Sequence, residues 1–383
     1  MKKFAFIFSL CLAAVAFAVP PSPLQIDQKD PSKPPKIYVV PFGLDGKGQM
    51  GTDIHSSIYE KVVKDIKAKK PDLIIISLDS AERGRREYSG AESDSLGERG
   101  VNNSEDMRTT MNLFRQELGD IPQVMWVQDS VGFGTLFALA WPNMYTKSDA
   151  RLYGLDKISR QAKSNDHEVE RKWLAAGVGI ANGFLVLGGH STVIGWAMMD
   201  PERKLSVSFK GREFEWKDDQ SGTFLIDGDP QRVANFDARS AEDFGISEGM
   251  ADSVEDVMFQ LGYREWDDSL GKSNQDGVKL VGDYIKAWRK MWEEGQMAFG
   301  EYERAMNDSG NSKSLSKARK SLEIMLEGIN KYPSVALRWR SKGMDKSKIE
   351  GMLKEVKDRL RKQGSSGGSS GSGGSGIGGG AGK

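Results

Sequence analysis

Leu73-Ile74-Ile75-Ile76 is a run of four large apolar residues with no polar interruption. A strand with one wet face alternates apolar and polar side chains. An unbroken run belongs to a strand buried on both faces, as in a parallel sheet covered by helices. The preceding segments fit that setting. Ile37-Tyr38-Val39-Val40 is a short β-rich run, and the glycine loop GLDGKGQMG follows it. Over residues 52–69, Ile54, Ile58, Val62 and Ile66 recur every four residues with lysines on the other face, which predicts a helix that Pro71 ends. Strand, helix and strand in this order imply a right-handed βαβ unit.

The pattern continues down the chain. Residues 80–105 are charged and glycine-rich without periodicity, and read as a mobile loop directly after a central strand. A helix is expected from Ser104 to Leu118 and a strand at Val124-Met125-Trp126-Val127. The turn DSVGFG then leads into the apolar helix TLFALAW, and residues 143–152 read as a further strand. Residues 167–199 read as mostly helical. KLSVSF and EFEW alternate around Lys210-Gly211 as a hairpin, and residues 238–262 read as two short helices around a strand-like Gly-Met-Ala.

Beyond about residue 267 the character changes. Val281, Ile285, Trp288, Trp292, Phe299, Tyr302 and Met306 follow a 4-3 pattern, repeated by Leu322, Met325 and Ile329 and by Ile349, Leu353, Val356 and Leu360. That is the seam of helices packed side by side or as coiled coils. Ser347 with Glu350 is positioned to form a capping box at the last helix. The fold class expected is therefore α/β, with a mainly parallel sheet over residues 36–266 and an all-α appendage over 267–363. Residues 364–383 are almost pure Gly and Ser and read as a disordered tail.

The N-terminus bears on compartment. Lys2 and Lys3 precede the apolar run Phe4 to Val15, and Ala16-Phe17-Ala18 fits the small-x-small cleavage rule. Residues 1–18 thus read as a signal peptide and 19–35 as a proline-rich linker, so the protein is expected to be exported, periplasmic or secreted. No later stretch reads as a membrane span. Cys11, the single cysteine, would leave with the signal, which removes disulfide and cysteine chemistry. Three scattered histidines make a histidine metal site unexpected, and no cofactor is expected. With 54 basic and 54 acidic residues, the chain lacks the basic excess of a nucleic-acid binder.

Four segments in this order resemble the Clp protease/crotonase superfamily, nearest to its exported NfeD-like and signal-peptide-peptidase-like serine proteases. They are KIYVVPFGLDGKGQMG with its helix and DLIIISLDS, then VMWVQDSVGFGTLFALAWPNMYT, then DARLYG, then FDARSAEDFGISEGMADSVEDVMFQLG. The resemblance covers about residues 36–266. It implies repeated ββα units, a homo-oligomer, and a nucleophilic serine at a strand-to-helix turn. Backbone amides would hold the oxyanion and a lysine or histidine would act as base.

At the turn, Gly132 stands where that serine is expected, and Gly132 and Gly134 are the candidate oxyanion amides. Ser130, two residues earlier, is the candidate nucleophile; its bland alternative is to cap the helix or satisfy the turn. Ser80, after the second strand where the resemblance implies the other oxyanion loop, is a candidate substrate contact or displaced nucleophile. Lys147, Lys157 and His190 are the candidate bases. His55 and His167 read as surface residues. Gly46-x-Gly48-x-x-Gly51 matches a dinucleotide-loop spacing, but without a distal acidic ribose contact it reads as an ordinary βα loop. The basic bias from Arg338 to Lys362 reads as a solvated helical face.

Two functions remain open on these residues. One is an exported serine peptidase that cuts peptide bonds. The other is a pseudoenzyme that keeps the fold as an oligomeric scaffold or a module binding a peptide or protein ligand. Crotonase-like acyl-thioester chemistry also uses glycine amides without a nucleophile, but acyl-CoA is cytoplasmic, which conflicts with export.

Overall fold

The computed structural model describes residues 24, 33–44, 48–80, 104–156, 166–268, 270, 276–308 and 311–366. The signal peptide, most of the proline-rich linker, nearly all of the 80–105 loop, Lys157 and most of the Gly/Ser tail lie outside the described residues.

The first three strands are β1 (Ile37–Phe42), β2 (Leu73–Asp79) and β3 (Gln123–Val131), with helices α1 (Ser56–Lys69) and α2 (Ser104–Glu117) in the crossovers. They pair in parallel, Ile37 against Leu73 and Ile75 against Val124. Every residue of β2 is buried, as its unbroken apolar run requires. Alternate side chains serve two cores. Tyr38, Val40, Phe42, Ile74, Ile76, Leu78, Met125 and Val127 enter the main core with α1 and α2. Ile37, Leu73, Ile75, Val124 and Trp126 face the other way, onto Val257 and Met258 of the late helix Val254–Gln260. The α/β class with a mainly parallel sheet is therefore observed.

The stretch expected as one strand over 143–152 is two. β4 (Met144–Thr146) pairs with residues 125–127 of β3, and β5 (Arg151–Tyr153) pairs with residues 130–131. The break has a cause: Asp252 accepts hydrogen bonds from the Ser148 amide at 2.9 Å and its hydroxyl at 2.7 Å, pulling the chain out of the ladder. Between β3 and β4 lies α3 (Phe133–Ala138), and after β5 comes α4 (His167–Leu187). The expected hairpin is present at Leu205–Lys210 and Glu213–Lys217, joined by Phe224–Asp227 into a small antiparallel sheet.

The appendage consists of helices Asp276–Asn307, Ser312–Lys331, Pro333–Ser341 and Lys346–Ser366. Val281 and Ile285 of the first belong to the main core, and only from Trp288 onward do its apolar residues build a second cluster. The two clusters are joined at Asp53, whose side chain is fully buried. It accepts from Arg289 Nη2 at 2.7 Å, Trp288 Nε1 at 3.1 Å and the Gln49 amide at 3.2 Å. The last helix opens on Asp345, which accepts from the Lys348 amide at 2.8 Å, so the cap lies two residues before the expected Ser347.

Candidate active site

The carboxyl ends of parallel strands, where crossovers leave a crevice, are the usual place for ligands in α/β sheets. Here the ends of β2 and β3 meet the first turn of α3. Gly132 makes the strand-to-helix turn with φ +56° and ψ −120°. This is the sharp elbow geometry on which hydrolases mount a nucleophile, and a side chain there carries strain. The residue in the elbow has no side chain. Its amide is also engaged, donating to the Tyr153 carbonyl at 2.8 Å, so it is not directed at an oxyanion. The Gly134 amide lies in the first turn of α3, where helical N–H groups lack intrahelical acceptors.

Ser130 is fully buried. Its hydroxyl donates to the Arg151 carbonyl at 3.0 Å and lies 3.0 Å from Thr135 Oγ1, which in turn donates to the Tyr153 carbonyl at 3.0 Å. Two hydroxyls and two carbonyls thus fasten β3 and α3 to β5. The expectation of an exposed nucleophile meets a serine that satisfies the turn instead. Beside it, Asp129 accepts from the amides of Ser130 at 3.1 Å and Arg151 at 3.0 Å, and from Arg151 Nη2 at 3.0 Å. Burial pushes the Asp129 carboxyl above its ordinary value, with Arg151 opposing the shift. The Arg151 guanidinium stacks on the Tyr153 ring with 4.6 Å to its centre.

Ser80 is buried, and its amide donates to the Asp129 carbonyl at 3.0 Å, extending the sheet rather than facing a crevice. Its hydroxyl has no hydrogen-bond partner among the described residues. It points at Gly134: a Cβ there would stand 1.9 Å from Ser80 Oγ, so glycine is what admits the hydroxyl.

The candidate bases do not converge on either serine. Lys147 Nζ pairs with Asp149 at 3.1 Å, beyond the end of β4. His190 follows α4, with its amide donating to the Leu185 carbonyl at 2.8 Å. The residue is half-buried, but its Nε2 is sealed from solvent without a partner among the described residues. Burial lowers its pKa to about 4, so it is neutral at pH 7. No described hydrogen bond or ion pair links Lys147 or His190 to Ser130 or Ser80.

The glycine loop serves packing. The Gly48 amide donates to the Asp79 carbonyl at 3.1 Å, and a Cβ at Gly43 or Gly48 would stand 2.2 or 2.6 Å from that oxygen. The loop lies on the end of β2; Gly46 is outside the described residues. His55, expected at the surface, instead caps α1: its Nδ1 accepts from the Ser57 amide, and its Nε2 is 3.4 Å from Asp106. His167 is exposed as expected. Among the described residues no group of three or more His, Cys, Asp or Glu is placed to hold a metal ion, and no helix is long and apolar enough to cross a membrane.

The residues that hold the site and escaped sequence reasoning are Asp129, Thr135 and Arg151. Asp129 and Ser130 adjoin the turn, but the arginine that fixes them is 22 positions away.

No family model and no curated protein matches the chain. Solved structures do. A variant of the membrane-bound stomatin-specific protease 1510-N is 13% identical, with 59% of this chain and 84% of that chain covered, at a TM-score of 0.36. An enoyl-CoA hydratase from Polaromonas sp. JS666 is 11% identical, covering 77% of this chain and 90% of that one at 0.33. A probable enoyl-CoA hydratase/isomerase from Mycobacterium abscessus is 13% identical, with 73% and 96% covered at 0.33.

Proposed function

We propose that this is an exported, catalytically silent relative of the ClpP-like serine peptidases, a module that binds peptide or protein segments without cutting them. The observation that carries the reading is the elbow. Gly132 occupies it in the strained conformation, with no side chain and its amide spent on Tyr153. The nearest serine, Ser130, has its hydroxyl committed to the Arg151 carbonyl. Acyl transfer needs a nucleophile, a base in reach of it and a pair of free donors. The turn offers amides of the first turn of α3, that of Gly134 among them, but no candidate base among the described residues is bonded to either serine.

Binding rests on what is left at the same edge. The Ser80 hydroxyl is closed off against Gly134 with no partner among the described residues, and would serve a ligand at the carboxyl ends of β2 and β3 that displaces this contact. The test is to incubate the purified protein with a mixture of unstructured peptides, recover the bound fraction and weigh it. The account expects intact peptides and about fivefold weaker retention in Ser80→Ala, the loss of one hydrogen bond. Cleaved products that disappear in Ser130→Ala would overturn it. Export is checked on the mature N-terminus, expected at Val19.

A further inference from the structure

A cavity of about 510 Å³ opens beyond the carboxyl end of β1, between Leu44 and the first appendage helix, Asp276–Asn307. Its floor is apolar. Gly282 lies beneath Leu44, and a Cβ built there would stand 3.6 Å from Leu44 Cδ1, an ordinary contact. Packing therefore does not demand a glycine at this position, and glycine is among the poorest residues for a helix interior. Its effect is to leave the floor open beside Ile285.

The rim is cationic. Lys286, Arg289 and Lys290 line it, against one acidic residue, Glu293. The positive surface runs on to the third appendage helix, Pro333–Ser341. The Arg289 and Arg338 guanidinium groups lie 5.8 and 5.7 Å from the centre of the Trp288 ring. Lys342 Nζ lies 5.2 Å from that of Trp292. Both indoles are buried, so the layer above them is charge rather than aromatic surface. The two arginines are also fixed in place, Arg289 by Asp53 at 2.7 Å and Arg338 by the Gln49 side chain. Groups ordered in advance lose less entropy when a partner arrives.

We propose that this cavity and its rim are the docking site for an acidic amphipathic helix of a partner protein. One apolar side chain of that helix seats over Gly282, and its carboxylates meet Lys286, Lys290 and Lys342. Three features select this partner. First, the charges of the rim call for an acidic one, since complementary potentials steer encounter and set specificity. Second, the lining from Gly282 to Glu293 lies within one helix, whose amides and carbonyls are bonded to each other. Such a wall offers nothing to the backbone of an extended peptide. A helix needs no backbone partners and presents side chains alone. Third, the apolar floor lies recessed behind the cations. A flat bilayer surface would meet the lysines and leave the floor empty.

The inference does not rest on the Ser80 edge or on the silence of the elbow. Its test is fluorescence anisotropy of the full-length protein with a dye-labelled peptide of about 18 residues, long enough to hold a helix in water. Leucine occupies one face of the peptide and glutamate the other. Binding is expected, and it is expected to weaken with added salt. Replacing Lys286→Glu and Lys290→Glu together is expected to weaken it about tenfold or more. Gly282→Leu changes no charge and improves helix propensity, so circular dichroism is expected to be unchanged while binding falls about tenfold. Lys61→Glu with Lys64→Glu, exposed on α1, is expected to have no effect, and neither is Ser80→Ala. A wild-type protein that ignores the peptide, or binds its scrambled sequence equally well, would overturn the proposal. So would binding that survives Gly282→Leu, that falls as far in the Lys61/Lys64 pair or in Ser80→Ala, or that goes instead to anionic phospholipid vesicles.

Discussion

At Gly132 the backbone sits at φ +56° and ψ −120°. Any side chain placed there adds strain of about 1–2 kcal/mol. Gly132→Ser therefore restores a hydroxyl at a cost in stability of that size, read from the shift of a urea midpoint. It is expected to gain no peptidase activity, because Lys147 is paired with Asp149 and His190 is sealed away. Turnover in this variant would show that a base is in reach. Ser130→Ala acts in another way. It strips the Arg151 carbonyl of a buried donor and is expected to cost about 1–2 kcal/mol while changing no activity. His190 gives a pH dependence. Burial lowers its pKa from 6.5 to about 4, so acid favours the unfolded chain, where the imidazole protonates freely. The stability at stake is present above pH 6.5 and is lost as pH falls through about 4. A shift of that size is worth roughly 3 kcal/mol. Chemical denaturation across this window, compared between wild type and His190→Gln, measures it; equal slopes would contradict the assignment.

Among the elements, those whose environment is recorded in their own residues were legible. The run Leu73–Ile76 announced a strand buried on both faces, and the four-residue spacing in α1 announced its helix. The hairpin followed from local alternation, and the short helices expected over 238–262 are present at Ala238–Asp243 and Val254–Gln260. What escaped depends on distant partners. The split of β4 from β5 is made by Asp252, more than a hundred positions beyond Ser148. His55 looked polar and exposed because nothing local revealed Asp106, which lies on α2. Ser130 resembled a displaced nucleophile because its acceptor, the Arg151 carbonyl, carries no mark in the sequence. The last helix opens on Asp345 because a carboxylate caps an N-terminus well, and two capping residues stood close together.

For the molecule as a whole, the joint between the α/β unit and the appendage is a buried charge. Asp53 sits at full burial between them, and its burial raises its pKa even with Arg289 in contact. Removing one partner of such a pair exposes the cost of the other. Arg289 is 39% exposed, so water softens the loss. Arg289→Ala is expected to destabilise by about 2 kcal/mol, below the 3–5 kcal/mol of a fully buried pair. It is also expected to separate unfolding of the helical cluster from that of the sheet, visible as two transitions in calorimetry. A single unshifted transition would show that the clamp is dispensable.

The central claim is that the peptidase-like turn of this protein is silent. The direct measurement is the intact mass of the folded protein after exposure to a fluorophosphonate probe. The account predicts an unmodified mass. A covalent adduct mapping to Ser130 or Ser80 would contradict it.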